Sequence, residues 1–128
     1  MKLLLDTHTI LCLVNEHEKL STTAKALLSN DEHSLYISMA SLWEVAIKTS
    51  LGKLIDFPSG VRALMEQIED MPIEILPITK HYIEIVESLP FIHRDPFDRV
   101  IVATAQSESM SIITADENIP KYSISYIW

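Results

Sequence analysis

The sequence predicts an α/β fold: a mostly parallel sheet of four or five strands with helices packed on both faces. Two observations carry this reading. Short apolar runs of strand length alternate along the chain with helical patterns, and parallel strands need crossovers long enough to hold a helix. The composition supplies the core, since 48% of the 128 residues are apolar and 22% are charged, and a chain of this length buries roughly two thirds of the surface that its unfolded form exposes. With only 2 Gly and no repeat, linker or charge block, residues 1–128 read as one domain. Collagen-like, disordered and low-complexity classes are excluded.

Lys2 to Leu5 is an apolar run of strand length. Thr9 to Val14 is apolar at helical spacing, and Ser21 caps a run of helix formers that extends to Leu28. Leu35 to Ser38 is β-branched and aromatic. It leads into a helix in which Ser41 and Glu44 have capping-box spacing and Gly52 marks the C-terminal stop. Val61 to Ile68 is an amphipathic helix, Ile73 to Leu76 a strand followed by Pro77, and His81 to Leu89 a helix that Pro90 ends. Asp95, Pro96 and Asp98 fall at the N-cap, N1 and N3 positions of a helix that reaches about Ser109. Ser111 to Thr114 and Ser123 to Trp128 are the last two strands.

Ten Lys plus Arg against 18 Asp plus Glu give a net charge of -8, the wrong sign for holding nucleic acid on a broad basic surface. A phosphate-bearing partner must be handled locally, through metal ions. The one cysteine, Cys12, has no partner for a disulfide and no neighbouring ligands for zinc, and its place on an apolar helical face makes it inert. A soluble protein of the reducing cytoplasm is expected. The apolar run Leu3 to Leu5 is too short for a signal segment, and no stretch is long and apolar enough to span a membrane.

All strands of an open parallel sheet end at one edge, where ligands bind. Asp6 directly follows the first strand, Glu44 lies near the start of the helix after the second, and Asp116 lies just beyond Thr114. Asp98 opens a helix that runs antiparallel to the strands, so it comes to the same edge. Four carboxylates from distant segments are thereby steered to one rim. Oxygen ligands without His or Cys partners suit a hard octahedral ion, magnesium or manganese, rather than zinc. An ion is expected because clustered anions repel and raise one another's pKa. Each acid also has a structural role open to it: Asp6 as a helix cap, Glu44 as half of a capping box or partner of Lys48, Asp98 at a helix dipole, Asp116 in a turn. Their convergence favours chemistry.

The order Asp6, Glu44, Asp98, Asp116 resembles the acidic set of PIN-domain ribonucleases. The segments MKLLLDTH, SMASLWEVAIK with a following GKL, HRDPFDRVIVATA and SIITAD resemble the VapC-type toxins of bacterial toxin–antitoxin pairs, over Met1 to about Asp116. The resemblance implies a five-stranded parallel sheet flanked by helices on both faces and a magnesium- or manganese-dependent endoribonuclease. It also implies inhibition by a small antitoxin encoded alongside, and a homodimer. By position it makes Asp6, Glu44 and Asp98 metal-site acids and Asp116 a more weakly engaged fourth. Asp95 falls in the same motif, where helix capping is a sufficient role. Thr7, Ser38 and Thr114 flank the acids and either orient them or cap strand ends.

The chemistry expected of such a site is attack by water on a phosphodiester, leaving a 5′-phosphate. The ribose 2′-OH is not needed for that step, so preference for RNA must come from binding. Lys48, Arg94 and Arg99 lie near the acids in sequence and are candidate phosphate contacts, with helix-face or loop charge as the alternative. His8 and His93 are expected behind the acids or in solvent, since the resemblance gives a shell of carboxylate and water. Trp43, Phe91, Phe97 and Trp128 read as core or subunit-contact residues. A phosphoacceptor receiver domain would need paired acids after its first strand, whereas Thr7 and His8 follow Asp6. A HAD-type phosphatase would need an acid where His8 stands. The main alternatives are a non-catalytic PIN-fold module that binds RNA or protein and a general RNA-processing nuclease without a toxin role. A pure binder has no use for four mutually repelling acids.

Overall fold

In the computed structural model, which describes residues 1–128, strand β1 (Lys2–Leu5) lies at the centre of the sheet. Leu3, Leu4 and Leu5 are all fully buried. A central parallel strand is covered on both faces, which is why it reads as an unbroken apolar run instead of an alternation. Strands β2 (Ser34–Ser38), β3 (Ile73–Leu76), β4 (Ser111–Ile113) and β5 (Tyr126–Ile127) complete a five-stranded, all-parallel sheet in the order β3-β2-β1-β4-β5. Leu4 stands opposite Tyr36 on one side and Ile112 on the other.

Successive strand residues point to opposite faces, and two apolar cores result. Leu3 and Leu5 join Ile37 and Ile113 with side chains of four helices, α1 (Thr7–Asn15), α2 (Thr22–Leu28), α3 (Met39–Ser50) and α4 (Gly60–Glu69). Leu4 and Ile112 face the other way and pack on Ile101, Val102 and Ala105 of α6 (Pro96–Glu108). Helix α5 (Lys80–Ser88) packs beside α6. No helix is long and apolar enough to cross a membrane.

Local chemistry explains most of the boundaries. Asp95 caps α6, its Oδ1 accepting from the amides of Phe97 and Asp98 at 2.9 and 3.1 Å, with Pro96 at the first helical position. Helix α3 ends in a Schellman arrangement, with Gly52 at φ 65° and the Lys53 amide donating to the Lys48 carbonyl. Its start differs from the capping box expected at Ser41 and Glu44. Ser38 is the cap, its Oγ accepting from the Ala40 amide at 3.0 Å, so the helix opens three residues earlier and Ser41 lies inside it. The last strand also differs: β5 is confined to two residues because β4, its only neighbour, is itself three residues long. Two short 3-10 turns, His17–Lys19 and Ile119–Lys121, were not expected from the sequence.

The strand order carries a functional consequence. The chain steps outward from β1 to β2 and β3, then returns to the other side of β1 for β4 and β5. The direction of winding therefore reverses between β1 and β4. A crevice opens at the strand ends where such a reversal occurs.

Candidate active site

That crevice is a cavity of about 340 Å³ lined by Asp6, Thr7, His8, Glu44, Lys48, Asp95, Asp98, Ala115 and Asp116. Five carboxylates thus share a wall with one lysine.

Asp6 leaves β1 and caps α1, and is only 3% exposed. Its Oδ1 accepts from the Thr9 amide at 2.8 Å and from Thr9 Oγ1 at 2.6 Å, and its Oδ2 accepts from Thr114 Oγ1, which reaches across from the end of β4. Burial raises the Asp6 carboxyl above its ordinary value, and the bonds from Thr114 and Thr9 offset part of that rise. Glu44 sits one turn into α3 and is 4% exposed. Thr7 Oγ1 lies 2.6 Å from Glu44 Oε1 and 2.9 Å from Ser41 Oγ, while Lys48 pairs with Oε2. Burial works against the charge of Lys48, but the hydrogen bond and charge of Glu44, with Asp95 and Asp98 beyond, hold its pKa above the ordinary value.

Asp98 is half-buried in the first turn of α6, and its Oδ2 lies 3.1 Å from His93 Nε2. Burial, and then the charge of Asp95, push Asp98 up to about 7; the His93 bond opposes this, while Asp116 and Glu44 add to it. Mutual repulsion was expected to be the cause of such shifts. Burial comes first at both Asp98 and Asp6, ahead of any neighbouring acid. Asp116 holds its own turn, Oδ1 accepting from the Asn118 and Ile119 amides at 2.7 and 3.0 Å. Asp95 and Asp116 each spend one oxygen on backbone amides and border the cavity as well.

Several expected residues stand elsewhere. Arg99 is not a phosphate contact: it is 8% exposed, and its guanidinium donates to the carbonyls of Val86, Leu89 and Pro90 at 3.0–3.5 Å and to Tyr122 Oη at 3.1 Å. Those carbonyls close the C-terminus of α5, where a cation is favoured by the helix dipole. Arg94 is exposed and outside the cavity lining. Ser38 caps α3 and does not border the cavity. Trp43 and Phe91 are 52% and 74% exposed, so neither is a core residue. Trp43 meets the Phe97 ring edge-on, and Phe91 stacks beside Arg99. Trp128 packs partly buried against the first core. Cys12 is buried beside His8, and burial raises its thiol.

Sequence reasoning passed over Thr9, Ser41 as a partner of Thr7, and Tyr122. Thr9 had a signal, since it stands three residues after the capping Asp6, where its amide must be satisfied. Tyr122 had none.

No three His, Cys, Asp or Glu side chains stand at coordinating spacing. The hydrogen-bonded carboxylate oxygens are turned to donors of the protein itself. The donor set nevertheless fits a hard cation. It is mainly carboxylate and hydroxyl oxygen, with one imidazole, the exposed His8, and no thiol in the lining, and Lys48 is the one lysine or arginine beside five acids, two of them deeply buried.

Fold and cavity together define a class: small parallel α/β domains whose acidic crevice lies where the winding of the sheet reverses. Residues 3–124 match the PIN domain family, and the chain belongs to it. Among solved structures it is similar to VapBC2 from Rickettsia felis bound to a DNA fragment from its promoter, at 16% identity and a TM-score of 0.73 over 99% of this chain and 98% of that one. It is also similar to DNA-bound VapBC from Salmonella typhimurium, at 19% identity and 0.68 over 99% and 97%. VapBC-5 from Mycobacterium tuberculosis matches at 20% identity and 0.65 over 98% and 97%. No curated protein sequence matches the chain.

Proposed function

We propose that this protein is a magnesium- or manganese-dependent endoribonuclease and the toxin of a type II toxin–antitoxin pair, acting in the cytoplasm. One observation carries the nuclease reading: Asp6, Glu44, Asp98 and Asp116, from four distant segments, line one cavity at the reversal of the sheet. The likeness in fold to chains of VapBC complexes supports the toxin role.

A bound magnesium or manganese ion would lower the pKa of a water and offset charge building on the phosphoryl group. Asp6, Glu44, Asp98 and Asp116 would hold it. Thr114 and Thr9 orient the Asp6 carboxylate from both sides, and Thr7 orients Glu44. Lys48 is the one basic side chain other than His8 that borders the cavity, which puts it in place to meet a phosphate oxygen. An inhibitory antitoxin gains most by setting a basic side chain against these acids. Met39 and Trp43, exposed one turn apart on α3, offer apolar surface for the second copy of a homodimer.

The test is RNA cleavage by the purified protein freed of any partner. Cleavage with magnesium or manganese that stops in chelator supports the nuclease, and cleavage unchanged by chelator rejects the metal mechanism. Expression alone should arrest growth, and co-expression of the neighbouring gene should relieve it. Unaffected growth with an active nuclease would leave a general RNA-processing role, and a protein that binds RNA without cutting it would be a binding module.

A further inference from the structure

We infer that His93 is a positioning residue for Asp98, held by Tyr122 and Arg99 so that its Nε2–H faces that carboxylate. Arg99 can only donate, and its Nη1 lies 3.1 Å from Tyr122 Oη. The Tyr122 hydroxyl therefore accepts from Arg99 and has one proton left to give, and its neighbour at 2.8 Å is His93 Nδ1. With Nδ1 accepting, the neutral imidazole carries its proton on Nε2, which lies 3.1 Å from Asp98 Oδ2. Four residues thus form a chain of hydrogen bonds that all point toward the acid.

The chain is anchored at its far end. The Arg99 guanidinium is fastened to the Val86 and Pro90 carbonyls, Tyr122 is buried, and the His93 and Tyr122 rings meet at 5.5 Å and 61°. The terminal torsion of an aspartate is broad and two-fold, so without this partner the Asp98 carboxylate would turn freely. With it, Oδ2 is held and Oδ1 is left for a cation. The HRDPFD segment acquires a division of labour: Asp95 fixes the helix start, His93 fixes the orientation of Asp98, and Asp98 borders the cavity. The inference rests on reading the cavity as a cation site.

Two substitutions separate the ring nitrogens. In His93→Gln the amide nitrogen takes the place of Nε2 and keeps a donor for Asp98. In His93→Asn the amide oxygen takes the place of Nδ1 and keeps only an acceptor for Tyr122. Manganese binding, read from the electron paramagnetic resonance of the free ion, should weaken roughly 10–100-fold in His93→Asn and stay close to wild type in His93→Gln. Nitrogen-15 resonances of the His93 ring at about pH 8, where imidazole is neutral, should report Nε2–H in the wild type and a mixture of tautomers in Tyr122→Phe. An Nδ1–H ring in the wild type overturns the inference. So does His93→Asn binding manganese as tightly as wild type, or His93→Gln binding as weakly as His93→Asn. Wild-type protein that binds no manganese overturns the cation reading itself, which the retained binding of a His93 variant would not. The ring resonances need only Tyr122→Phe, so the inference stays testable even where a His93 variant does not fold.

Discussion

The two sides of the cavity are built differently. On the side of β1 and α3, Asp6 and Glu44 are deeply buried, and hydroxyls of Thr9, Thr114 and Thr7 hold them, with Thr114 reaching Asp6 across 108 residues of chain. On the side of α6 and the loop after β4, Asp95, Asp98 and Asp116 are half-buried and held by amides of their own turns or by His93. The first pair is fixed by tertiary contacts and cannot move without disturbing the sheet. The second group belongs to local turns, with Asp98 held in addition through His93 by Tyr122 and Arg99. On the proposed reading, the buried pair sets where a cation sits and the outer acids complete its shell, a division that rigid first ligands make possible.

The sharpest way to break this comparison is to neutralise one acid from each side. Asp6→Asn should lose manganese binding and RNA cleavage by more than the roughly 100-fold expected for losing a supporting residue. It should keep its fold, because Asn caps a helix as well as Asp does. Asp116→Asn should lose less. Equal losses, measured by metal titration and single-turnover cleavage, would erase the distinction between the two sides.

A smaller effect is expected from the hydroxyl that holds Glu44. Thr7→Val keeps the shape and removes the donor, so metal affinity should fall roughly 10–100-fold, and urea melts should show a loss of about 1–3 kcal/mol from unpaired buried groups. Unchanged affinity would mean that Lys48 suffices to orient Glu44.

The pH dependence of stability tests the outer side. An aspartate in the unfolded chain titrates near pH 4, whereas Asp98 titrates at about 7 in the folded protein. Between those values the folded state holds a proton that the unfolded state has lost. The contribution of Asp98 to stability in chelator is therefore fully present below about pH 4 and is lost as pH rises through about 7. Asp6, raised by burial, adds a slope of the same sign. Asp98→Asn should flatten the profile, and urea midpoints at about pH 5 and about pH 8 would show it. Saturating manganese should restore the wild type, by about 2.7 kcal/mol at a hundredfold excess over Kd. A profile for Asp98→Asn as steep as wild type would place the titrating group elsewhere.

The two arginines of the HRDPFDR segment give the least effect on the cavity and the clearest contrast in stability. Arg99→Leu removes the charged donor to the Val86, Leu89 and Pro90 carbonyls and to the buried Tyr122 hydroxyl, and should cost about 1–3 kcal/mol. Arg94→Ala, at an exposed position, should stay within about 0.5 kcal/mol. Thermal melts compare them directly, and an Arg99 variant as stable as Arg94→Ala would contradict its role as the clamp of α5.

What was legible in the sequence follows the range of the interactions involved. The start of α6 was readable because Asp95, Pro96 and Asp98 act within one turn of each other. The cap of α3 was misread because Ser38 and Ser41 are equally eligible by type, and the choice falls to Ser38, which ends β2 where it pairs with Leu76 of β3. Arg99 was misread because a charge in a motif does not say whether solvent or helix carbonyls receive it. For Trp43 and Phe91 aromatic chemistry allows a core or a subunit-contact position, and their exposure excludes the core.

The sequence by itself determined the strands, the helices, the two-sided cover of Leu3 to Leu5 and the oxygen character of the rim, because periodicity, capping and side-chain chemistry act over a few neighbouring residues. Tertiary structure alone decided that β4 returns to the far side of β1, that Thr114 meets Asp6, and that Tyr122 meets His93. Those contacts join segments far apart in the chain, and their distances are set by sheet order and register, which no local pattern encodes.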